Sequence, residues 1–221
     1  MHHPLRIAHR GMPRQARENT LASFALALAA GADGIELDVH ATADGVVVVH
    51  HDAQIDGGMS IVALSHADLR ERRLAGEHIP TLLEVCDLVK GRAELFVEIK
   101  GDGIEHLVAA ALGTYGGAVA IHSFDHALIQ RLAASETRFR LGLLIEELVP
   151  DARAMMAQAG ALDLWPHHPL VTRALVNEVH QVGGRVIPWT VNEASDVARV
   201  TAMGVDGICT DDVASLSDLW P

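Results

Sequence analysis

The sequence predicts an α/β fold, a (β/α)₈ TIM barrel with an extra β-hairpin strand after the second barrel strand. Three observations carry this. Helical apolar spacing alternates with short β-rich runs over nearly all of the 221 residues. Most of those runs are almost continuously apolar, as expected of parallel strands buried on both faces. Nine such runs are present, and one follows its predecessor across Asp44-Gly45, read as a two-residue hairpin turn. A hairpin partner is antiparallel, so eight βα units remain, the count for a barrel. The chain is shorter than the ~250 residues typical of that fold. A doubly wound open sheet is the competing architecture, but no Gly-x-Gly-x-x-Gly follows the first strand, which speaks against a dinucleotide-binding version.

In chain order, the strand candidates are Leu5–His9, Gly34–His40, Val46–His51, Glu94–Lys100, Val119–Phe124, Arg140–Ile145, Leu162–Pro166, Arg185–Val191 and Asp206–Thr210. The first helix carries Leu21, Phe24, Ala25 and Leu28 on one stripe; Asn19 or Thr20 caps its start and Gly31 ends it. Thr81 and Glu84 have capping-box spacing before Val85, Leu88 and Val89, with Gly91 as the stop. Further helices start near Asp125, Pro150, Thr172 and Asn192, the last three ended by Gly160, Gly183 and Gly204. Gly-Ala-Asp-Gly-Ile at 31–35 echoes Gly-Val-Asp-Gly-Ile at 204–208, read as one helix-to-strand turn used twice. No linker or low-complexity tract interrupts the pattern, so a single domain is expected over 1–221.

Composition narrows the function. With 49% hydrophobic and 21% charged residues, the chain has the makings of a large core and not of a disordered segment. Its net charge of −12 makes it a poor non-specific nucleic-acid binder, because such binding rests on Lys and Arg neutralising phosphates. No uncharged apolar run approaches the ~18–20 residues of a membrane helix, so no stable membrane insertion is expected. Strand-like sequence begins by Leu5, so no secretory leader is expected and a cytoplasmic location is predicted. Cys86 and Cys209 are too few for a disulfide framework and have no neighbouring base in sequence; both read as packing residues.

A barrel displays its chemistry at the C-terminal ends of its strands. Those positions hold His9-Arg10, Glu36 with Asp38, His51-Asp52 on the hairpin return, Glu98 with Lys100, then His122 and Trp189. Residues two apart on a strand share a face, so Glu36 joins Asp38 and Glu98 joins Lys100. If Asp44 and Gly45 alone form the turn, residue 38 stands opposite 51 and His51 joins the same face; a bulge would shift that register by one. Three carboxylates aimed into one cavity need a compensating cation or protons, and oxygen ligands favour Mg²⁺ or Ca²⁺. Either carboxylate–cation pair could instead be a plain salt bridge. His9 and His51 are the acid–base candidates, since imidazole titrates near neutrality. Arg10 is a candidate anion clamp. Of the 14 histidines, His2, His3, His66, His106, His126 and His180 read as structural or surface residues, and so does His50, which faces away from its neighbour. His122, His167 and His168 carry no assignment from sequence.

These residues form an ordered set. His9-Arg10-Gly11, Glu18-Asn19-Thr20, Gly34-Ile35-Glu36-Leu37-Asp38-Val39, Thr42-Ala43-Asp44-Gly45 and His51-Asp52 are followed by Ile79-Pro80-Thr81-Leu82, Glu98-Ile99-Lys100, Ser123-Phe124, Trp189-Thr190-Val191-Asn192 and Asp206-Gly207-Ile208-Cys209-Thr210-Asp211. Over nearly its full length the chain resembles the glycerophosphodiester phosphodiesterases of the bacterial cytoplasmic type. The resemblance implies a TIM barrel that hydrolyses glycerophosphodiesters to glycerol 3-phosphate and an alcohol. It implies His9 and His51 as the acid–base pair, Glu36, Asp38 and Glu98 as ligands of a divalent cation, Arg10 and Lys100 on the phosphate, and Trp189 as an aromatic wall. One segment departs: where family members commonly carry an Arg-Thr-Thr loop after His-Asp, this chain has a shorter, less basic stretch over 52–60. Its only apolar residues apart from Ala53 are Ile55 and Met59, little material for an acyl-chain rim. A lysophospholipase D or other lipid phosphodiesterase is therefore the second expectation, and a non-catalytic phosphodiester-binding protein the third.

Overall fold

The computed structural model describes residues 3–55, 57–72, 76–135 and 138–217. His2 and Asp56, both named or spanned in the sequence analysis, lie outside the described residues. The strands are β1 (Leu5–His9), β2 (Gly34–Ala41), β3 (Val47–Val49), β4 (Gln54–Ile55), β5 (Met59–Ser60), β6 (Glu94–Ile99), β7 (Val119–Ser123), β8 (Arg140–Ile145), β9 (Asp163–Pro166), β10 (Arg185–Val186) and β11 (Gly207–Thr210). Helices α1 (Leu21–Ala29), α2 (His66–Arg70), α3 (Leu82–Val89), α4 (Glu105–Leu112), α5 (His126–Ser135), α6 (Ala152–Ala159), α7 (Arg173–His180), α8 (Ala194–Met203) and α9 (Val213–Ser217) fall between and after them.

Eight strands run parallel in the order β10-β9-β8-β7-β6-β2-β1-β11, and β3 pairs antiparallel with β2 as the extra strand. The barrel closes through backbone bonds from Asp206 N to Val186 O (2.9 Å), Cys209 N to Pro188 O (3.0 Å) and Val191 N to Cys209 O (2.9 Å). Pro188 has no N–H to donate, which explains why the regular part of β10 is shorter than the expected 185–191 run. Two cores result. Between strands and helices lies the larger one, and inside the barrel Ile7, Phe96, Ala120, Leu144, Trp165, Ile187 and Cys209 fill the lumen. Gly34 makes room for this filling: a Cβ there would stand 2.5 Å from the Phe96 ring. Below that layer Arg185 bridges Glu94 and buried Asp163, and Arg140 also bonds Asp163, an ionic floor under the lumen.

The repeated Gly-x-Asp-Gly-Ile turn is the same structure twice. Gly31 (φ +78°) and Gly204 (φ +87°) leave their helices in the left-handed conformation. The following aspartate then caps a neighbouring strand: Asp33 Oδ2 accepts Arg6 N at 2.9 Å and Asp206 Oδ2 accepts Val186 N at 2.7 Å.

The hairpin corrects the expected register. Ala43, Asp44 and Gly45 together form the loop, with Thr42 N donating to Val46 O at 3.0 Å and Gly45 at φ +79°. Val39 therefore pairs with Val49, and His50 N donates to Asp38 O, so residue 38 faces 50 and not 51. The strand stops at Val49 and the chain bends, and this bend, not the alternation, delivers His51 to the barrel mouth.

Candidate active site

A cavity of about 230 Å³ opens at the C-terminal end of the barrel, lined by His9, Arg10, Glu36, His51, Glu98, Lys100, His122, Phe124, Glu146, Trp165 and Trp189 among others. Strand register assembles it. His9 on β1 pairs with Glu36 on β2, while Asp38, Glu98 and His122 stand side by side on β2, β6 and β7.

The loop after β1 is locked onto this floor. Arg10 (φ +56°) and Asn19 (φ +57°) both adopt left-handed backbone, which costs roughly 1–2 kcal/mol for most residues and less for Asn. They are held by Asn19 N donating to Arg10 O at 3.0 Å, and by Arg10 N donating to Glu36 Oε2 at 3.1 Å. Gly11 (φ +90°) passes so close to α1 that a Cβ would lie 2.3 Å from Ser23 Oγ. Thr20 takes the helix cap, accepting Ser23 N at 3.2 Å. Asn19, the other cap candidate, turns inward instead: its Nδ2 donates to Asp38 Oδ2 at 2.8 Å and its Oδ1 accepts Asp38 N at 3.3 Å.

Asp38 is fully buried, yet Arg10 Nε at 3.1 Å, Lys100 Nζ at 3.6 Å and the Asn19 amide offset that burial and hold its carboxyl below the usual range. Its Oδ1 accepts no hydrogen bond among the described residues. Lys100 Nζ also pairs with Glu98 Oε1 at 2.8 Å. Burial, reinforced by the charge of Asp38, nevertheless pushes Glu98 up to about 7. Glu36 is pushed well above the carboxylate range, by burial first and then by Asp38 and Glu98. Glu36, Glu98 and His122 each bring a ligand-type atom within 4.8 Å of the others. Two ionised carboxylates at such a spacing repel by about 3–4 kcal/mol at an effective dielectric constant of ~20.

This arrangement fits a divalent cation. Glu36, Asp38 and Glu98 outnumber the two cations Arg10 and Lys100, an excess of negative charge that a bound divalent ion would offset. His122 is buried flat against Trp165, ring centroids 4.2 Å apart, and burial pushes its imidazole down to about 3. Its Nε2 lies 3.9 Å from Glu36 Oε1, but its Nδ1 is buried without a partner among the described residues. A ligating imidazole almost always donates its second N–H to an acceptor. His122 therefore stands in the converging group as a neutral imidazole, and Asp38, held by Arg10, Lys100 and Asn19, is not part of that group.

The two candidate acid–base histidines are held alike. His9 Nδ1 lies 2.7 Å from Asp211 Oδ1, and His51 Nδ1 lies 2.8 Å from Asp52 Oδ1. Ionised carboxylates only accept, so each Nδ1 carries the proton and each Nε2 is left for the cavity. Asp211 is itself fixed, its Oδ2 accepting Asn192 Nδ2 at 2.8 Å and its backbone N donating to Asn192 Oδ1 at 3.0 Å. Buried His40 steadies the other side, with Nε2 3.1 Å from His51 O. His50 points away from the cavity and accepts Asp52 N at 3.1 Å.

Trp189 stands on one wall, its indole N–H donating to Trp165 O at 2.9 Å, with the His167 ring 5.3 Å away. His168 turns outward to Arg199 and Asp196. Cys209 is buried in the lumen beneath the cavity and Cys86 in α3, both free thiols. Asp211, Asn192, Asn19 and Asp52 all belong to the ordered motifs, but sequence alone offers Asn19 only as a helix cap and assigns the other three no role. Asp211, Asn192 and Asn19 find their partners on distant segments, so only the closed barrel reveals what they hold.

Residues 9–215 match the model of the glycerophosphoryl diester phosphodiesterase family. The glycerophosphodiester phosphodiesterase of Caldanaerobacter subterraneus is 34% identical, covering 96% of both chains. That of Bacillus altitudinis is 29% identical over 93% of both. The crystal structure of the glycerophosphodiester phosphodiesterase from Thermotoga maritima superposes with a TM-score of 0.87 at 26% identity, covering 99% of each chain.

Proposed function

Because the chain belongs to the glycerophosphoryl diester phosphodiesterase family, we propose that residues 1–221 act as one catalytic barrel that hydrolyses glycerophosphodiesters to glycerol 3-phosphate and an alcohol. One observation carries the reading. Two imidazoles, each fixed through Nδ1 by a carboxylate, face a single cavity that also holds three carboxylates and two cations. Binding alone would not call for a matched pair of oriented histidines, which sets aside a non-catalytic binder.

Glu36, Asp38 and Glu98 would hold a divalent cation, Mg²⁺ or Ca²⁺ by the hardness of their oxygens. When bound, that ion polarises the phosphoryl group and offsets its developing charge. Arg10 and Lys100 bind the remaining phosphate oxygens, already aimed by Glu18, Asp38 and Glu98. Trp189 supports the substrate from the side. His9, neutral at Nε2, takes the proton of the glycerol 2-hydroxyl. The freed oxygen attacks phosphorus, a P–O bond to the alcohol breaks, and His51 gives its Nε2 proton to the departing oxygen. The five-membered cyclic phosphate that results is opened by water with the two roles exchanged. His51 is the more exposed imidazole, on the side from which an alcohol can leave.

The substrate is a small phosphodiester, not a nucleic acid. Among the described residues no helix is long and apolar enough to cross a membrane, and we place the activity in the cytoplasm, as the resemblance implies. A lyso-lipid substrate is disfavoured by Ile55, which is buried in the hairpin's own small core with Val48, Ile61, Leu69 and Ile79. The test is turnover of glycerophosphocholine and a lysophospholipid by the purified protein. Release of glycerol 3-phosphate from the first, lost in chelator and restored by Mg²⁺ or Ca²⁺, is expected. Full activity in excess chelator, or preference for the lipid, contradicts the reading.

A further inference from the structure

The two histidines of the acid–base pair are held unequally. His9 is part of strand β1, and its partner Asp211 is itself fixed twice by Asn192. His51 lies past the end of β3, which stops at Val49. Its partner Asp52 has a side chain 72% exposed, and that carboxylate bonds nothing else among the described residues. An exposed partner holds a ring weakly, because water competes for the same bond. Proton transfer nevertheless needs His51 in one place, and the remaining grip on it is through its backbone.

The strand ladder does not supply that grip. Its last backbone bond across the hairpin runs from His50 N to Asp38 O at 3.0 Å. Beyond it, neither the N–H nor the carbonyl of His51 bonds to another backbone group among the described residues. His40 takes over at this point. It stands on β2 opposite Val48, and its side chain reaches past the end of β3 to bring Nε2 within 3.1 Å of His51 O. A carbonyl only accepts, so Nε2 carries the proton and donates it. His40 is 7% exposed, so water competes far less here than at Asp52. It also lies two residues beyond Asp38, on the same face of a strand that pairs with β1, β6 and β3. One rigid strand therefore carries both a carboxylate of the site and the anchor of the imidazole opposite it. Resting on the phosphodiesterase reading, we propose that His40 is a positioning residue, whose Nε2–H anchors the His51 carbonyl and so sets where the His51 imidazole stands. Arg10 and Lys100, which take the phosphate, are held by Glu18, Asp38 and Glu98 and not by His40. Loss of the anchor should accordingly appear in kcat and leave KM nearly unchanged.

The test uses two amides that differ by one methylene. A glutamine Nε2 can take the place of the imidazole Nε2, whereas an asparagine Nδ2 stops at the level of the ring's Nδ1. His40→Gln should keep kcat within about threefold of the wild type. His40→Asn and the apolar His40→Leu should each lower it by roughly 10–100-fold with KM changed less than about threefold, the scale of a catalytic group misplaced by about an ångström. In a His51→Ala background, adding His40→Asn should slow the reaction by no more than about twofold, because the group it positions is already gone. Nitrogen-15 NMR of the His51 ring reads the anchor without turnover: one sharp set of signals is expected in the wild type and His40→Gln, doubled or broadened signals in His40→Asn. A normal rate with an unchanged His51 signal in His40→Asn overturns the role. So does a loss of the same size with and without the His51 imidazole, which would mark His40 as merely structural. A wild type that turns over no glycerophosphodiester fails the phosphodiesterase reading instead, and the His51 signals alone then decide the anchor.

Discussion

His9 Nδ1 and Asp211 Oδ1 meet at 2.7 Å across 202 residues of sequence, joining the first strand of the barrel to the turn after the last. The bond fixes the ring plane and the tautomer at once. Burial works against the Asp211 charge, but the bonds from His9 and Asn192 hold its carboxyl below the usual range, so it stays an acceptor at neutral pH. In the proposed mechanism Asp211 positions His9. Asp211→Asn should lower kcat by roughly 10²-fold or more while KM changes less than threefold, because a mis-set tautomer affects the proton transfer and not the binding of phosphate. Nitrogen-15 NMR of His9 at fixed pH should show the proton moving from Nδ1 to Nε2. An unchanged tautomer with unchanged kcat would remove the role.

Cation binding should be strongly pH-dependent. Without the ion, Glu98 (pushed up to about 7) and Glu36 (raised in the same direction by burial and by Asp38 and Glu98) hold protons at mildly acid pH. A raised carboxyl must lose its proton before it can ligate, so affinity rises with pH until the raised values are passed. His122, neutral above about 3, adds no charge in this window. Below pH 7 the affinity for Mg²⁺ or Ca²⁺ should climb by up to ~10-fold per pH unit for each proton displaced. Calorimetry in buffers of different ionisation enthalpy should detect that release. Affinity independent of pH between about 5.5 and 7.5 would show that the carboxylates do not take the ion.

The glycerol 2-hydroxyl should be the first nucleophile. Its attack is intramolecular, with effective molarities of ~10⁵–10⁸ M in favourable cases. A substrate lacking that hydroxyl should bind nearly as well and turn over far more slowly. Phosphorus NMR should show a transient cyclic phosphate with the intact substrate. Equal kcat for the deoxy substrate would point to direct attack by water.

What the sequence disclosed and what it withheld divide along physical lines. Strand alternation is local, so it alone puts Glu36 with Asp38 and Glu98 with Lys100 on common faces, and the parallel apolar runs lead to the barrel. The hairpin register was not legible, because Asp44-Gly45 looks like a complete turn and only the Thr42 bonds show that Ala43 belongs to it. Helix α4 went unrecognised for want of a start signal: its N-cap, Ile104, offers no side-chain acceptor. Asn19 has the chemistry of a cap and spends it on Asp38, a choice made by tertiary structure. The face of His122 and the pairing of His9 with Asp211 depend on barrel closure and have no short-range signal.

Single-turnover hydrolysis by cation-loaded protein tests the acid–base assignment most directly. His9→Ala and His51→Ala should each slow the chemical step by roughly 10²–10⁴-fold, the usual contribution of an acid or a base. His50→Ala, which removes an imidazole one residue away but outside the cavity, should slow it less than threefold. Comparable losses for His50→Ala and His51→Ala, or near-normal rates for His9→Ala, would contradict the account.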